Sequence, residues 1–97
     1  MAQITQDGNR WLISGAMTVT EMNSLLAESA ALAGSAHVEV DLKGVSDVDT
    51  SAISLLFEWL RQANTRNAKV VFSNLPENLV SLATLYGVLE LIPQTTH

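Results

Sequence analysis

The chain has 97 residues, of which 47% are hydrophobic and 15% charged, as is typical of one folded domain and not of a disordered segment. Its net charge of −5 and its lack of any run of Lys and Arg argue against nucleic-acid binding, and the absence of cysteine excludes disulfides and thiolate chemistry. We expect a single domain over residues 1–97 with a frayed tail over about residues 93–97, and neither a signal peptide nor a membrane span.

The first two predicted strands form a β-hairpin. Residues 3–6 and 9–14 suit short strands, and Asp7-Gly8 between them suits the centre of a two-residue turn. Trp11 in the second strand is expected in the core. The turn predicts that these two strands pair antiparallel.

A helix and a third strand are predicted next. Residues 18–21, with the sequence TVTE, have the form of a capping box and predict the start of helix one. Gly34 is placed to end this helix. Residues 38–42 alternate apolar and polar side chains, which predicts a strand with one face better buried than the other.

The longest predicted helix, helix two, begins at Asp49-Thr50-Ser51 and continues to about Asn67. Its length and its lack of internal glycine and proline favour a helix over a strand. The segment Lys69–Ser73 follows with a β-branched and aromatic sequence, which predicts a buried fourth strand.

The C-terminal part predicts one more helix and completes the fold class. Residues 74–77, with the sequence NLPE, offer an N-cap and a first-turn proline for helix three, which Gly87 is placed to end. Residues 89–92 suit a last short strand. Alternating strands and helices predict an α/β fold with a mixed, mostly parallel sheet of four to five strands, an N-terminal hairpin and about three helices.

Few residues could carry catalysis or bind a metal. The two histidines, His37 and His97, have no ligand-like spacing to each other or to acidic pairs, no G-x-S-x-G turn is present, and the five glycines are scattered singly. We therefore expect no catalytic residue, no cofactor and no metal site. The remaining enzymatic alternative is a small hydrolase that uses His37 with Thr50 or Ser51.

The turn over residues 45–52 allows two interpretations. Asp49, Thr50 and Ser51 are residue types that cap helix N-termini, so their simplest role is structural. A hydroxyl at a helix N-terminus can also be phosphorylated without melting the helix, because the added charge suits the positive end of the helix dipole. Phosphorylation there would change which partner docks.

The apolar stripe of helix two is wider than a helix covering a sheet needs, since it spreads over roughly 200°. Leu55 and Trp59 form its surplus edge, and Arg66 continues it. A Trp beside an Arg is the composition expected of an interface hot spot. The alternative is that Trp59 packs against helix three.

Together with this order of elements, one stretch of the chain resembles the STAS family. The matching residues are Val40-Asp41-Leu42, Val45 and Val48-Asp49-Thr50-Ser51-Ala52, followed by the long apolar helix. Ala52 stands where glycine is usual in the family. Residues 55–61, 74–76 and 82–88 look like the MlaB branch of that family, and the resemblance covers almost the whole chain.

The resemblance implies a STAS fold that docks another protein and is not an enzyme. Asp49, Thr50 and Ser51 match the family's docking turn. Ser51 takes the place of the phosphorylated serine of the sigma-regulating branch, and Thr50 takes the hydroxyl position of MlaB-like proteins. The residues expected to bind the partner are Asp49, Thr50, Ser51, Leu55, Trp59 and Tyr86, and the candidate phosphorylation sites are Ser51 and Thr50.

The MlaB-like branch implies a particular partner. The leading hypothesis is a non-catalytic subunit that binds and supports the MlaF-like ATPase subunit of an ABC-type phospholipid transporter, which maintains outer-membrane lipid asymmetry. The protein would then be cytoplasmic and peripheral to the inner membrane through this partner, without direct membrane insertion. The alternative is an anti-sigma factor antagonist that is switched when an anti-sigma factor kinase phosphorylates Ser51.

Overall fold

The computed structural model describes residues 2–32 and 36–95. The strands are β1 (Gln3–Asp7), β2 (Arg10–Met17), β3 (His37–Val48) and β4 (Lys69–Ser73), and the α-helices are α1 (Met22–Leu32), α2 (Thr50–Thr65) and α3 (Glu77–Leu85). Short 3₁₀ turns span Val19–Glu21 and Leu89–Leu91. Among the described residues, none of the helices combines the length and the apolar character that crossing a membrane requires.

The four strands form one mixed sheet in the order β1-β2-β3-β4. β1 pairs antiparallel with β2, whereas β2, β3 and β4 run parallel to one another. Because consecutive parallel strands lie side by side, right-handed crossovers place α1 and α2 on the same face of the sheet. The predicted α/β class and the predicted mixed, mostly parallel sheet are therefore confirmed.

The core lies between this face of the sheet and the helices. Alternate strand residues point into it, as the two-residue side-chain period of a strand requires. The strands contribute Trp11, Ile13, Val38, Val40, Leu42, Val70 and Phe72, and the helices contribute Leu25, Ala52, Leu55, Leu56, Trp59, Ala63, Leu79 and Ala83. Trp11 is 5% exposed, so the prediction that it belongs to the core is confirmed.

A polar cluster around the buried Asp41 joins three strands on the opposite face of the sheet. Asp41 on β3 accepts hydrogen bonds from Arg10 on β2 and, at 3.1 Å, from the Asn74 amide just after β4. Burial raises the pKa of Asp41, but hydrogen bonds from the Lys43 backbone N–H, Asn74 and Arg10 outweigh it and hold the pKa below its ordinary value. The ionised carboxylate of Asp41 therefore links β3 to β2 and to the end of β4.

The hairpin turn lies one residue later than predicted. Gly8 and Asn9 occupy its centre, and Gly8 has a φ of +65°. The prediction placed Asp7-Gly8 there. A turn with positive φ at its first central residue favours glycine in that position, which fixes the register with Asp7 opposite Arg10.

The predicted capping box of helix one does not form. Thr18 is extended and makes no side-chain cap, while Glu21 Oε1 accepts a hydrogen bond from the Ala2 backbone N–H at 2.8 Å. Glu21 therefore bonds to the residue before β1 and does not complete a capping box. Residues 19–21 form a 3₁₀ turn, and α1 begins only at Met22. The predicted stop at Gly34 lies outside the described residues.

β3 is longer than predicted. It continues through residues 43–48, which were expected to form a polar connection, and it pairs with β2 as far as Met17 opposite Val48. Two register shifts absorb the mismatch between the strands. A Cβ on Gly44 would lie 2.9 Å from the Ile13 carbonyl oxygen, so glycine permits this close approach.

The start of α3 also differs from the prediction. Asn74 does not cap the helix, because its side chain donates to Asp41 and its φ of +53° turns the chain away from β4. Pro76 stands at the N-cap position without a side-chain hydrogen bond. The helix therefore depends on packing and on Glu77 in its first turn.

Residues 93–95 run beside β4, within the segment that was predicted to fray. Residues 89–92 were expected to form a strand, but Leu89–Leu91 is a 3₁₀ turn. Phe72 then donates to Pro93 O at 2.9 Å, and Thr95 donates to Phe72 O at 3.0 Å. The predicted frayed tail is thus ordered over residues 93–95, and His97 lies outside the described residues.

Candidate functional site

Asp49 fixes the turn between β3 and α2. Its Oδ1 accepts a hydrogen bond from the Ser51 backbone N–H at 2.8 Å, which caps α2. Its Oδ2 accepts from the Val19 backbone N–H at 3.0 Å, at the start of the first 3₁₀ turn. One carboxylate therefore holds two helix starts together, and the predicted capping role of Asp49 is confirmed.

These two bonds should make stability depend on pH through Asp49. The Val19 N–H bond lowers the pKa of Asp49 most, burial opposes it as the next largest effect, and the hydrogen bonds from Ser51 bring the net shift below the ordinary value. A lowered pKa adds stability above the unfolded pKa of about 3.9, and this stability is lost as pH falls through the lower folded pKa. We expect Asp49→Asn to be less stable than wild type in urea unfolding at about pH 7 but equally stable at about pH 2.

Asp47→Asn provides the matched control for this pH dependence, because Asp47 is exposed and caps no helix. We expect it to follow the wild-type pH profile. A constant stability difference between Asp49→Asn and wild type at both pH values would contradict the assigned role of the Asp49 charge.

The two hydroxyl residues at the start of α2 differ in exposure. Thr50 is exposed, whereas Ser51 is half-buried. Thr50, Ile53 and Ser54 line one side of a groove of about 440 Å³, and Tyr86 and Val88 line the other. We call this cleft, with these five lining residues, the α2–α3 groove.

The end of α3 explains why Tyr86 reaches this groove. Gly87 has a φ of +69°, its N–H donates to Thr84 O, and the Val88 N–H donates to Ala83 O at 2.9 Å. These two bonds form a Schellman motif, which ends the helix and turns the chain back. Tyr86 is left 57% exposed beside α2, and the predicted helix stop at Gly87 is confirmed.

Sequence reasoning named Thr50 and Tyr86 but missed Ile53, Ser54 and Val88. The structure brings all five together. The spacing of Thr50, Ile53 and Ser54 was an available signal, because residues three and four apart lie on one face of a helix. Val88 had no comparable signal, since its position depends on the turn after α3.

The prediction that Leu55 and Trp59 form a surplus exposed edge is wrong. They are 0% and 3% exposed. Trp59 packs edge-on against Trp11 of β2, with ring centroids 5.8 Å apart and planes at 81°. α2 needs a wide apolar stripe because it lies between α1 and α3 while also covering the sheet, so these two side chains belong to the core and not to a docking surface.

The hydrolase alternative requires a histidine near the hydroxyls of the docking turn. His37 begins β3, whereas Thr50 and Ser51 follow its other end. β3 has 12 residues, and a strand rises by about 3.3 Å per residue. The predicted pairing of His37 with Thr50 or Ser51 is therefore wrong, because the strand separates them far beyond hydrogen-bond reach.

The surroundings of the α2–α3 groove are acidic. Its five lining residues carry no charge, while Asp47 and Asp49 precede Thr50 and Glu90 follows Val88. Arg61 lies about 16 Å further along α2 at 1.5 Å per residue, and it is paired with Glu58. The groove is therefore an uncharged cleft at an acidic end of the domain.

Comparisons with known proteins agree with this fold. A family model described as "Mlab, STAS domain" matches residues 2–93. A solved structure of the anti-sigma factor antagonist SpoIIAA in its unphosphorylated form is 14% identical, with a TM-score of 0.70, covering 100% of this chain and 88% of that chain. The S58E form of RsbS from Moorella thermoacetica is also 14% identical, with a TM-score of 0.63 over 99% of this chain and 86% of that chain. No curated protein sequence matches the chain.

Proposed function

The chain belongs to the STAS domain family, and from this we propose that it is a non-catalytic subunit that binds and supports the ATPase of an ABC-type phospholipid transporter. The observation that carries the proposal is the α2–α3 groove, where the exposed residues Thr50 and Tyr86 meet. Both were assigned to the docking surface from the family resemblance alone. An exposed cleft that contains an aromatic anchor suits protein docking.

The proposed contact surface consists of the α2–α3 groove and the half-buried Ser51 beside it. Asp49 contributes indirectly by holding the start of α2 in place, because its carboxylate accepts hydrogen bonds from two backbone N–H groups. Leu55 and Trp59 take no direct part, since the core already covers them. The partner is therefore expected to insert an apolar side chain between Thr50 and Tyr86.

The partner is proposed to be an MlaF-like ATPase subunit, because the matching family model is of the MlaB type. Such a partner would hold this protein on the cytoplasmic side of the inner membrane without direct insertion. The reaction would take place on the ATPase, and this chain would contribute assembly or activation through the α2–α3 groove.

The second candidate function is that of an anti-sigma factor antagonist. A solved structure with this description shares the fold, and the docking turn presents two hydroxyls at the start of α2. Under this candidate an anti-sigma factor kinase would phosphorylate Ser51, or Thr50, whose side chain is the more exposed. Phosphate on either residue after incubation with such a kinase and ATP would favour this function.

A variant of Tyr86 tests the proposed docking surface. We expect Tyr86→Ala to bind the ATPase subunit about tenfold or more weakly, because a truncated aromatic anchor commonly loses more than 1.4 kcal/mol. Leu91→Ala is the matched control, since Leu91 is 60% exposed and lies outside the groove. The measurement is co-purification from the native cells with identification by mass spectrometry, followed by titration calorimetry with the purified partner.

The outcomes of this experiment separate the candidates. Recovery of an ABC ATPase by the wild type and by Leu91→Ala, with weaker recovery by Tyr86→Ala, would support the transporter subunit. Recovery of an anti-sigma factor kinase in its place would support the second candidate. Equal ATPase affinity of Tyr86→Ala and Leu91→Ala would exclude the α2–α3 groove as the contact surface.

A further inference from the structure

The outer edge of β1 is one of the two edges of the sheet. Asp7 pairs with Arg10 across the two-residue turn, so the hydrogen-bonded pairs with β2 fall on alternate residues of β1. The N–H groups of Ala2, Ile4 and Gln6 consequently point away from β2. An edge of this kind is a template on which another strand can pair.

Two carboxylates cover this edge. Glu21 Oε1 accepts from the Ala2 N–H at 2.8 Å, and Glu28 Oε1 accepts from the Ile4 N–H at 3.2 Å. Both glutamates are half-buried, and α1 packs along β1. A strand from another molecule could reach the Ala2 and Ile4 N–H groups only by displacing these side chains.

We propose that the β1 edge is a latent pairing surface for a second copy of this chain and that Glu21 and Glu28 keep it closed. Antiparallel pairing of two β1 strands is self-complementary, because Ile4 would lie opposite Ile4 of the copy and a two-fold axis would relate them. The two sheets would then continue into one another.

β4 forms the opposite edge of the sheet, and its own contacts explain why pairing is expected at β1 instead. On β4, Phe72 already exchanges hydrogen bonds with Pro93 and Thr95 of the same chain. Backbone groups of residues 93 and 95 thus cover the outer edge of β4 at Phe72, whereas side chains cover the N–H groups at the β1 edge. Side chains can be removed without breaking the chain, so the β1 edge is the one that substitution can open.

The test removes both carboxylates in the full chain. We expect Glu21→Ala/Glu28→Ala to self-associate with a dimer dissociation constant at least about tenfold lower than that of Glu77→Ala/Glu90→Ala. The control loses the same two charges from exposed positions on α3 and the following 3₁₀ turn. Sedimentation equilibrium over a range of protein concentrations measures the constant, and circular dichroism checks the fold.

A second double variant separates the effect of the hydrogen bonds from the effect of the charges. Glu21→Gln/Glu28→Gln keeps an acceptor oxygen at both positions, so it is expected to match the control. Association of this variant as tight as that of the alanine variant would overturn the proposal, because covering the N–H groups would then not matter.

Hydrogen exchange at the Ile4 amide reports directly on the edge. The proposal expects this amide to exchange faster than in wild type when the alanine variant is dilute and to become protected as its concentration rises. Fast exchange at every concentration, with a monomeric alanine variant, would overturn the proposal. If the double variant does not fold, Glu28→Ala is compared with Glu90→Ala in the same two measurements.

Discussion

Replacement of Trp59 by alanine is expected to lower the free energy of unfolding by about 4 kcal/mol, which is the usual effect of truncating a buried tryptophan. Trp59 is 3% exposed and stacks edge-on against Trp11 in the centre of the core. Its removal leaves a cavity between α2 and β2 that neither element can fill without shifting. Urea unfolding followed by far-ultraviolet circular dichroism measures the loss.

Trp59→Phe is the informative control for this substitution. The indole Nε1 of Trp59 is buried without a hydrogen-bond partner among the described residues, and an unpaired buried donor is unfavourable. Phenylalanine keeps an aromatic ring against Trp11 and removes that donor, so we expect a loss of less than about 1.5 kcal/mol. A Trp59→Ala protein as stable as Trp59→Phe would contradict the assignment of Trp59 to the core.

The same comparison bears on partner binding. Trp59→Ala is expected to bind the ATPase more weakly only in proportion to the fraction of it that is unfolded, whereas Trp59→Phe is expected to bind normally. If Trp59→Phe folds normally but no longer binds the partner, Trp59 must be part of the contact surface. Titration calorimetry on folded samples, checked by circular dichroism, distinguishes these results.

The sequence predicted the order of elements and the mixed sheet, because hydrophobic periodicity and turn residues act locally. It did not predict elements whose partner is distant in the chain. Glu21 looked like half of a capping box but bonds to Ala2, and residues 93–95 looked like a polar tail but pair with Phe72. In both places a hydrogen bond to a residue distant in the chain replaced the local one.

The proposed docking surface could be predicted only in part, for a similar reason. The exposed hydroxyl of Thr50 follows from its place at the start of a helix, and Tyr86 follows from the glycine after it. The width of the apolar stripe on α2 could not show which side chains were exposed. A helix between two other helices buries a wider face than a helix on a sheet alone, and Leu55 and Trp59 fill that extra width.

Replacement of Thr50 by glutamate is expected to weaken ATPase binding by more than about a hundredfold while leaving the fold intact. Thr50 is the first residue of α2, where an added carboxylate suits the helix dipole, so no loss of stability is expected. In the complex the same carboxylate would be removed from water in an uncharged groove. None of the five described residues that line the groove is basic, and an uncompensated buried charge typically costs about 3–5 kcal/mol.

Two controls make the Thr50→Glu result specific. Thr50→Ser keeps a hydroxyl in the groove and is expected to bind within about threefold of wild type. Thr65→Glu places the same charge at the exposed far end of α2 and is expected to bind normally, although its stability falls slightly at the negative helix terminus. Titration calorimetry with the purified ATPase subunit measures all three. Wild-type affinity in a folded Thr50→Glu protein would place the partner elsewhere on the domain, because a buried unpaired carboxylate at the contact could not leave the affinity unchanged.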